Sequence, residues 1–274
     1  MKQNILIALC QMAVGDDKAK NIKKAGEFLK KAADEGCLIA VLPEMFVCPY
    51  DTSCFKDYAE PSASGKVFDF LSNTAAELEM IIVGGSFPEL SPDGSLYNTC
   101  LIFDSNGHLI GRHRKMHLFD INIKNGLNFK ESDILTAGNE ITVVETSVIK
   151  IGVGICYDLR FSELSRAMVL KGAECLIFPS AFNHITGPAH WELLLRARSV
   201  DNQLFTAGVS CALNESASYK AYGHSMLCDP WGNITTKASY EEELIIGSID
   251  LEQIYSVREQ LPVLHHRRPK LYNI

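Results

Sequence analysis

The sequence predicts an α/β layered sandwich, two β-sheets packed face to face with helices outside, and three observations carry that reading. Short β-branched and apolar runs alternate with longer segments whose apolar residues recur at helical spacing. The alternation occurs twice, so the chain falls into two similar halves. The total, roughly a dozen strands with four well-patterned helices, exceeds what one typical sheet holds.

In order, residues 5–9 read as a strand, 18–35 as a helix with Ile22, Ala25, Leu29 and Ala32 spaced three and four apart, and 38–42 as a strand. Residues 64–79 form a helix with Val67, Leu71, Thr74 and Leu78 on one face, followed by a strand at 80–84. Residues 98–104 and 108–112 make a hairpin that turns at Ser105-Asn106-Gly107. The second half repeats the logic: strand 149–155, helix 162–171 closed by Gly172, strand 175–178, and helix 188–201 with Pro188 in its first turn. Strands at 204–211, 223–229 and 244–249 complete the set, with a turn at Asp229-Pro230-Trp231-Gly232. No linker, low-complexity tract or short-period repeat divides the chain, so residues 1–274 read as one domain.

Composition narrows the function classes. With 274 residues, 47% hydrophobic and 22% charged, the chain can bury a full core, which excludes disorder. A formal net charge of -7 argues against wholesale binding to nucleic acid or an anionic membrane. No run approaches the roughly 18–20 apolar residues of a membrane span. The apolar run at residues 5–9 is too short for a secretory signal, so the expected compartment is the cytoplasm. Nine cysteines, an odd number scattered from Cys10 to Cys228 and several inside apolar runs, read as reduced and buried.

Open α/β sheets place their sites just past the carboxyl ends of strands. There the sequence sets Glu44 after Val41-Leu42-Pro43, Lys115 in His113-Arg114-Lys115-Met116-His117, and Cys156 after Ile151-Gly152-Val153-Gly154-Ile155. An acid, a cation and a thiol suffice for covalent hydrolysis, because a thiol attacks well once a base takes its proton or a cation steadies its thiolate. Gly152 and Gly154 allow close packing behind Cys156, and the turn into a helix near Ser162 exposes the Tyr157 N–H as an oxyanion donor. A metal site fails on ligand spacing, since neither C-x-x-C nor H-E-x-x-H occurs and cations separate His113 from His117. No cofactor is expected.

Leu42-Pro43-Glu44-Met45-Phe46, Arg114-Lys115-Met116-His117-Leu118-Phe119 and Gly154-Ile155-Cys156-Tyr157-Asp158-Leu159-Arg160-Phe161 resemble, in order and separation, the three signature stretches of the nitrilase superfamily of carbon-nitrogen hydrolases. The resemblance runs from about Ile5 to Tyr272. It implies a four-layer α-β-β-α sandwich, a homodimer, and a Glu-Lys-Cys triad at Glu44, Lys115 and Cys156, with Glu131 as the second glutamate of such sites. Within the superfamily, the stretches 182–194, 196–203 and 218–225 are most similar to the omega-amidase branch, which hydrolyses the terminal amide of 2-oxoglutaramate; the deaminated-glutathione amidase branch shares part of them. A substrate carboxylate calls for a fixed cation. Arg160, four residues after Cys156, fits that role, and a salt bridge to Asp158 or Glu163 is its alternative. The resemblance also implies Phe182 and Thr186 in the pocket, and Tyr50, on the loop after Glu44, is expected at its entrance.

The small-molecule amide therefore stands as the expected partner. Other readings remain open: a nitrilase, an N-carbamoyl hydrolase or a deaminated-glutathione amidase on the same triad, and a scaffold protein that keeps the fold. The run His265-His266-Arg267-Arg268-Pro269-Lys270 lies at the tail of an acidic chain and reads as a subunit contact rather than a nucleic-acid site.

Overall fold

In strand β1 (Ile5–Gln11) residue parity decides what each side chain meets. Ile5, Ile7 and Leu9 join one apolar cluster and Ala8 and Cys10 join another, as the two-residue pleat requires. β2 (Ile39–Val41) and β3 (Ile81–Val83) divide in the same way. The computed structural model describes residues 4–124 and 128–272.

β1, β2 and β3 run parallel, and β4 (Phe87–Leu90) and β6 (Leu109–Arg114) both pair antiparallel with β5 (Leu96–Phe103), as does β3. A separate two-stranded ribbon joins β7 (Asp120–Asn122) to β8 (Asn128–Lys130). The second sheet contains β9 (Thr142–Glu145), β10 (Lys150–Val153), β11 (Cys175–Ser180), β12 (Phe205–Ser210), β13 (Met226–Cys228) and β14 (Ile234–Lys237), adjacent in chain order. β15 (Glu243–Ile249) returns to the first sheet beside β1.

Between the sheets, Ile7, Val41 and Val83 share a cluster with Val153, Ile177 and Val209. Helices cover the outer faces. Against the first sheet, α1 (Lys18–Asp34) buries Ala25, Leu29 and Ala32, the short α2 (Phe55–Tyr58) buries Phe55, and α3 (Lys66–Glu77) buries Val67, Leu71 and Ala75. Against the second, α4 (Ser162–Leu170) and α5 (Gly187–Asn202) bury Met168, Trp191 and Leu195 beside Leu176 and Phe178. α6 (Leu251–Gln260) follows β15. The architecture is the expected α-β-β-α sandwich, and no helix among the described residues is long and apolar enough to cross a membrane.

The four expected helices agree with α1, α3, α4 and α5 to within two residues at each end, and the hairpin turns where expected, with Gly107 at φ 78°. Several elements absent from the sequence reading have weak patterns: β7 and β8 are three residues each and partly exposed, β14 alternates half-buried with exposed residues, and α6 buries only Ile254 and Val257. The others, α2, β4 and β9, are four residues each, too short for a period to show. All nine cysteines are free, and eight are buried.

One glycine bears directly on the strand ends. Gly85, at φ 59°, closes a tight turn against the Leu42-Pro43 backbone, and a Cβ there would collide with the Pro43 carbonyl oxygen. Gly85→Ala is therefore expected to lower stability by roughly 1–3 kcal/mol. It should also move Pro43-Glu44 and depress activity beyond the fraction unfolded, measured by denaturant titration beside an activity assay.

Candidate active site

The ends of β2, β6, β10 and β11 converge between the sheets. Two turns there pass through the left-handed region with ordinary side chains, Met45 at φ 50° beside Glu44 and Cys156 at φ 45°. Such strain persists only where neighbours over-determine the conformation. For Met45 the neighbour is Ser86, whose Oγ accepts from the Met45 N–H at 2.9 Å. For Cys156 it is the 3-10 turn Cys156–Arg160 that opens directly after β10.

Lys115 stands at the centre, one residue beyond β6. Its backbone N–H donates to the Asn98 carbonyl at 2.8 Å. Its Nζ donates to Glu44 Oε1 at 2.9 Å, to Glu131 Oε1 at 3.0 Å and to the Tyr50 hydroxyl at 3.1 Å. Glu44 Oε1 also accepts from Asn98 Nδ2 at 2.8 Å, and Oε2 accepts from the Ala181 N–H at 2.8 Å. Glu131 accepts from Tyr50 at 2.6 Å and from the Phe119 N–H at 2.7 Å. Glu44 and Glu131 are wholly buried and Lys115 nearly so. A buried charge is tolerable only with partners of this kind.

Burial raises the Glu44 carboxyl; Lys115 opposes the shift and Glu131 reinforces it. Burial alone would lower the Lys115 ammonium, but Glu131 and Glu44 more than reverse it and hold the charge. The Cys156 thiol is pushed well above its ordinary value, first by burial and then by the Glu44 charge. Burial thus favours the neutral thiol and raises the carboxyl beside it, while the paired carboxyls favour the ammonium. Among the described residues no carbonyl accepts from the Tyr157 N–H, which leaves it available.

A pocket of about 170 Å³ opens on Cys156, lined also by Tyr157, Arg160, Phe182, Asn183 and Thr186. Arg160 Nη2 donates to Thr186 Oγ1 at 3.4 Å, Nη1 lies 3.2 Å from His190 Nδ1, and the guanidinium sits 4.9 Å from the Phe182 ring centroid. No carboxylate pairs with Arg160 among the described residues. The alternative of a salt bridge to Asp158 or Glu163 is not realised, because Asp158 is engaged by His113 and His117, and Glu163 meets Ser162.

The structure therefore brings Glu44, Lys115, Glu131 and Cys156 together, and Arg160, Phe182 and Thr186 line one pocket with Cys156 and Tyr157. Tyr50 joins the polar cluster, where Glu131 and Lys115 hold its hydroxyl and Tyr219 packs on its ring at 4.6 Å, and it lines a cleft that also reaches Glu44 and Ala181. Sequence reasoning missed Asn98, Ala181 and Tyr219. Asn98 had a visible signal, a polar residue at the head of an apolar strand, whereas Ala181 acts through its backbone and has none.

The profile of the carbon-nitrogen hydrolase family matches residues 6–259. The chain is 46% identical over 268 residues to omega-amidase NIT2 of Danio rerio, covering 98% of this chain and 96% of that protein. It is 41% identical over the same span to omega-amidase NIT2 of Homo sapiens, again covering 98% and 96%. The crystal structure of Saccharomyces cerevisiae Nit3, a member of branch 10 of the nitrilase superfamily, superposes with a TM-score of 0.90 at 42% identity, covering 97% of each chain. The chain belongs to the carbon-nitrogen hydrolase family of the nitrilase superfamily and is an enzyme of that class.

Removing the shared cation tests the electrostatics. Lys115→Met leaves two buried carboxyls facing each other and is expected to cost about 3–5 kcal/mol. One carboxyl must then keep a proton that the unfolded chain releases, so the folded variant binds more protons and its stability falls as pH rises above the ordinary carboxylate range. Denaturant titrations of the wild type and the variant across pH 5–8 would measure this.

Proposed function

We propose that the enzyme is an amidase that hydrolyses the terminal amide of short dicarboxylate monoamides, 2-oxoglutaramate and succinamate, to the dicarboxylate and ammonia through a thioester on Cys156. The observation that carries the substrate class is Arg160 in the Cys156 pocket, a guanidinium with no carboxylate partner among the described residues and with Thr186 and His190 beside it. A planar bidentate donor suits a carboxylate. The relatives named omega-amidase support the same reading.

The geometry supports the following mechanism. Glu44 takes the thiol proton as Cys156 Sγ attacks the amide carbonyl, and the oxyanion gathers between Lys115 Nζ and the Tyr157 N–H. Glu131 and Tyr50 keep the ammonium charged and aimed. Collapse of the tetrahedral adduct returns the proton from Glu44 to the leaving nitrogen, and ammonia departs. Water then yields a proton to Glu44 and attacks the thioester, releasing the acid and restoring the thiol. Phe182 packs beneath the Arg160 guanidinium and fixes its direction.

We further propose that residues 1–274 act as one domain, in the cytoplasm, as a homodimer. Free, mostly buried cysteines suit a reducing compartment. Leu193 and Val200, seven apart on α5, are exposed, and the turn at Gly232 closes against Val200. An apolar face of this kind fits a second copy of the chain.

The test is ammonia release from 2-oxoglutaramate and succinamate, run beside deaminated glutathione, a simple nitrile and an N-carbamoyl amino acid, with Cys156→Ala as the blank. The dicarboxylate monoamides should be preferred, and Arg160→Gln should raise KM for them about tenfold or more, as loss of a charge-assisted pair predicts. Preference for another panel member would overturn the pocket reading, and silence on all of them by the folded, reduced protein would favour the scaffold.

A further inference from the structure

Asp158 lies two residues after Cys156 and is wholly buried, yet it does not line the substrate pocket. Four donors surround its carboxylate. Oδ1 accepts from the His117 N–H at 2.9 Å and from His117 Nδ1 at 2.7 Å; Oδ2 accepts from the Ile155 N–H at 2.9 Å and from His113 Nε2 at 3.0 Å. Both ring nitrogens must donate here, because a carboxylate only accepts.

The arrangement has a direction. His113 and His117 sit two residues to either side of Lys115, and Ile155 immediately precedes Cys156. One carboxylate thus spans the segment that carries the ammonium and the turn that carries the thiol and the Tyr157 N–H. We propose that Asp158 is a positioning residue that sets the Lys115 ammonium and the Tyr157 N–H at the spacing where both reach one oxyanion. The inference rests on reading Cys156 as the nucleophile and Lys115 as an oxyanion donor.

The chemistry of the four contacts demands a carboxylate. Burial resists the charge, but hydrogen bonds from His113 and His117 and the backbone outweigh it and hold the Asp158 carboxyl well below the usual range. An asparagine in its place would turn an N–H₂ group toward one pair of donors and break two bonds. A glutamate would push the two segments apart by a methylene. His117 is the accessible handle: its ring is 29% exposed and stacks on Phe161 with centroids 3.6 Å apart, so it can be altered without opening the core.

The experiment compares kcat and KM for succinamate in wild type, Asp158→Asn, His117→Ala and His117→Asn, with Cys156→Ala as the blank and circular dichroism and Tm as checks of folding. Misplacement of catalytic groups by about 1 Å costs about a hundredfold. Asp158→Asn is expected to lose at least that in kcat and His117→Ala about tenfold, with KM within about twofold of wild type. His117→Asn, whose side-chain N–H₂ can occupy the place of Nδ1–H, should recover most of the loss. Folded His117→Ala and Asp158→Asn with wild-type kcat, beside an inert Cys156→Ala, would overturn the proposal and leave the nucleophile reading intact. So would a kcat loss that only follows Tm and that His117→Asn fails to restore. Activity retained by Cys156→Ala would remove the nucleophile reading and this proposal with it.

Discussion

A lysine ammonium buried between two glutamates is the interaction on which this structure depends. Lys115, Glu44 and Glu131 come from three separate stretches of chain, and none could lose its water alone, since an unpaired buried charge costs several kcal/mol. Their mutual pairing therefore constrains the ends of β2 and β6 and the loop after β8 at once. It also sets the proton inventory. Burial, reinforced by Glu131, raises the Glu44 carboxyl, while the Lys115 charge opposes that shift. Burial and the Glu44 charge in turn raise the Cys156 thiol.

The sandwich exists, in this respect, to deliver those groups. Parallel β10 and β11 end side by side, so Cys156 and the Ala181 N–H emerge together, and β2 on the opposing sheet brings Glu44 across the interface to meet both. Strained turns at Met45 and Cys156 aim the side chains, and bonds to Ser86 and within the 3-10 turn hold the strain. Arg160 arises from the same turn as Cys156, so on the proposed function one five-residue turn carries both the carboxylate clamp and the nucleophile.

Much of this was legible in the sequence, for identifiable reasons. Amphipathic periods in α1, α3 and α4 report burial on one face and so predict themselves, and the strand-end positions of Glu44, Lys115 and Cys156 follow from topology. Glu131 is different: nothing local marks a glutamate in a polar loop, and only resemblance to a family singled it out. The place of Tyr50 near Glu44 is legible from the loop it sits on, but the inward turn of its hydroxyl depends on Glu131, 81 residues away. Backbone donors such as the Ala181 N–H leave no trace in side-chain identity. Asp158 sat inside a recognised motif, but its partners His113 and His117 could be assigned only after β6 was seen beside the Cys156 turn.

In the proposed mechanism an acyl group passes to Cys156. Rapid acid quench during turnover of succinamate, followed by digestion and mass spectrometry, measures that transfer directly. A succinyl group on the Cys156 peptide, formed and lost at the rates of turnover and absent from Cys156→Ala, is the predicted result. Acylation of another residue, or an unmodified Cys156 at every quench time while product accumulates, would contradict it.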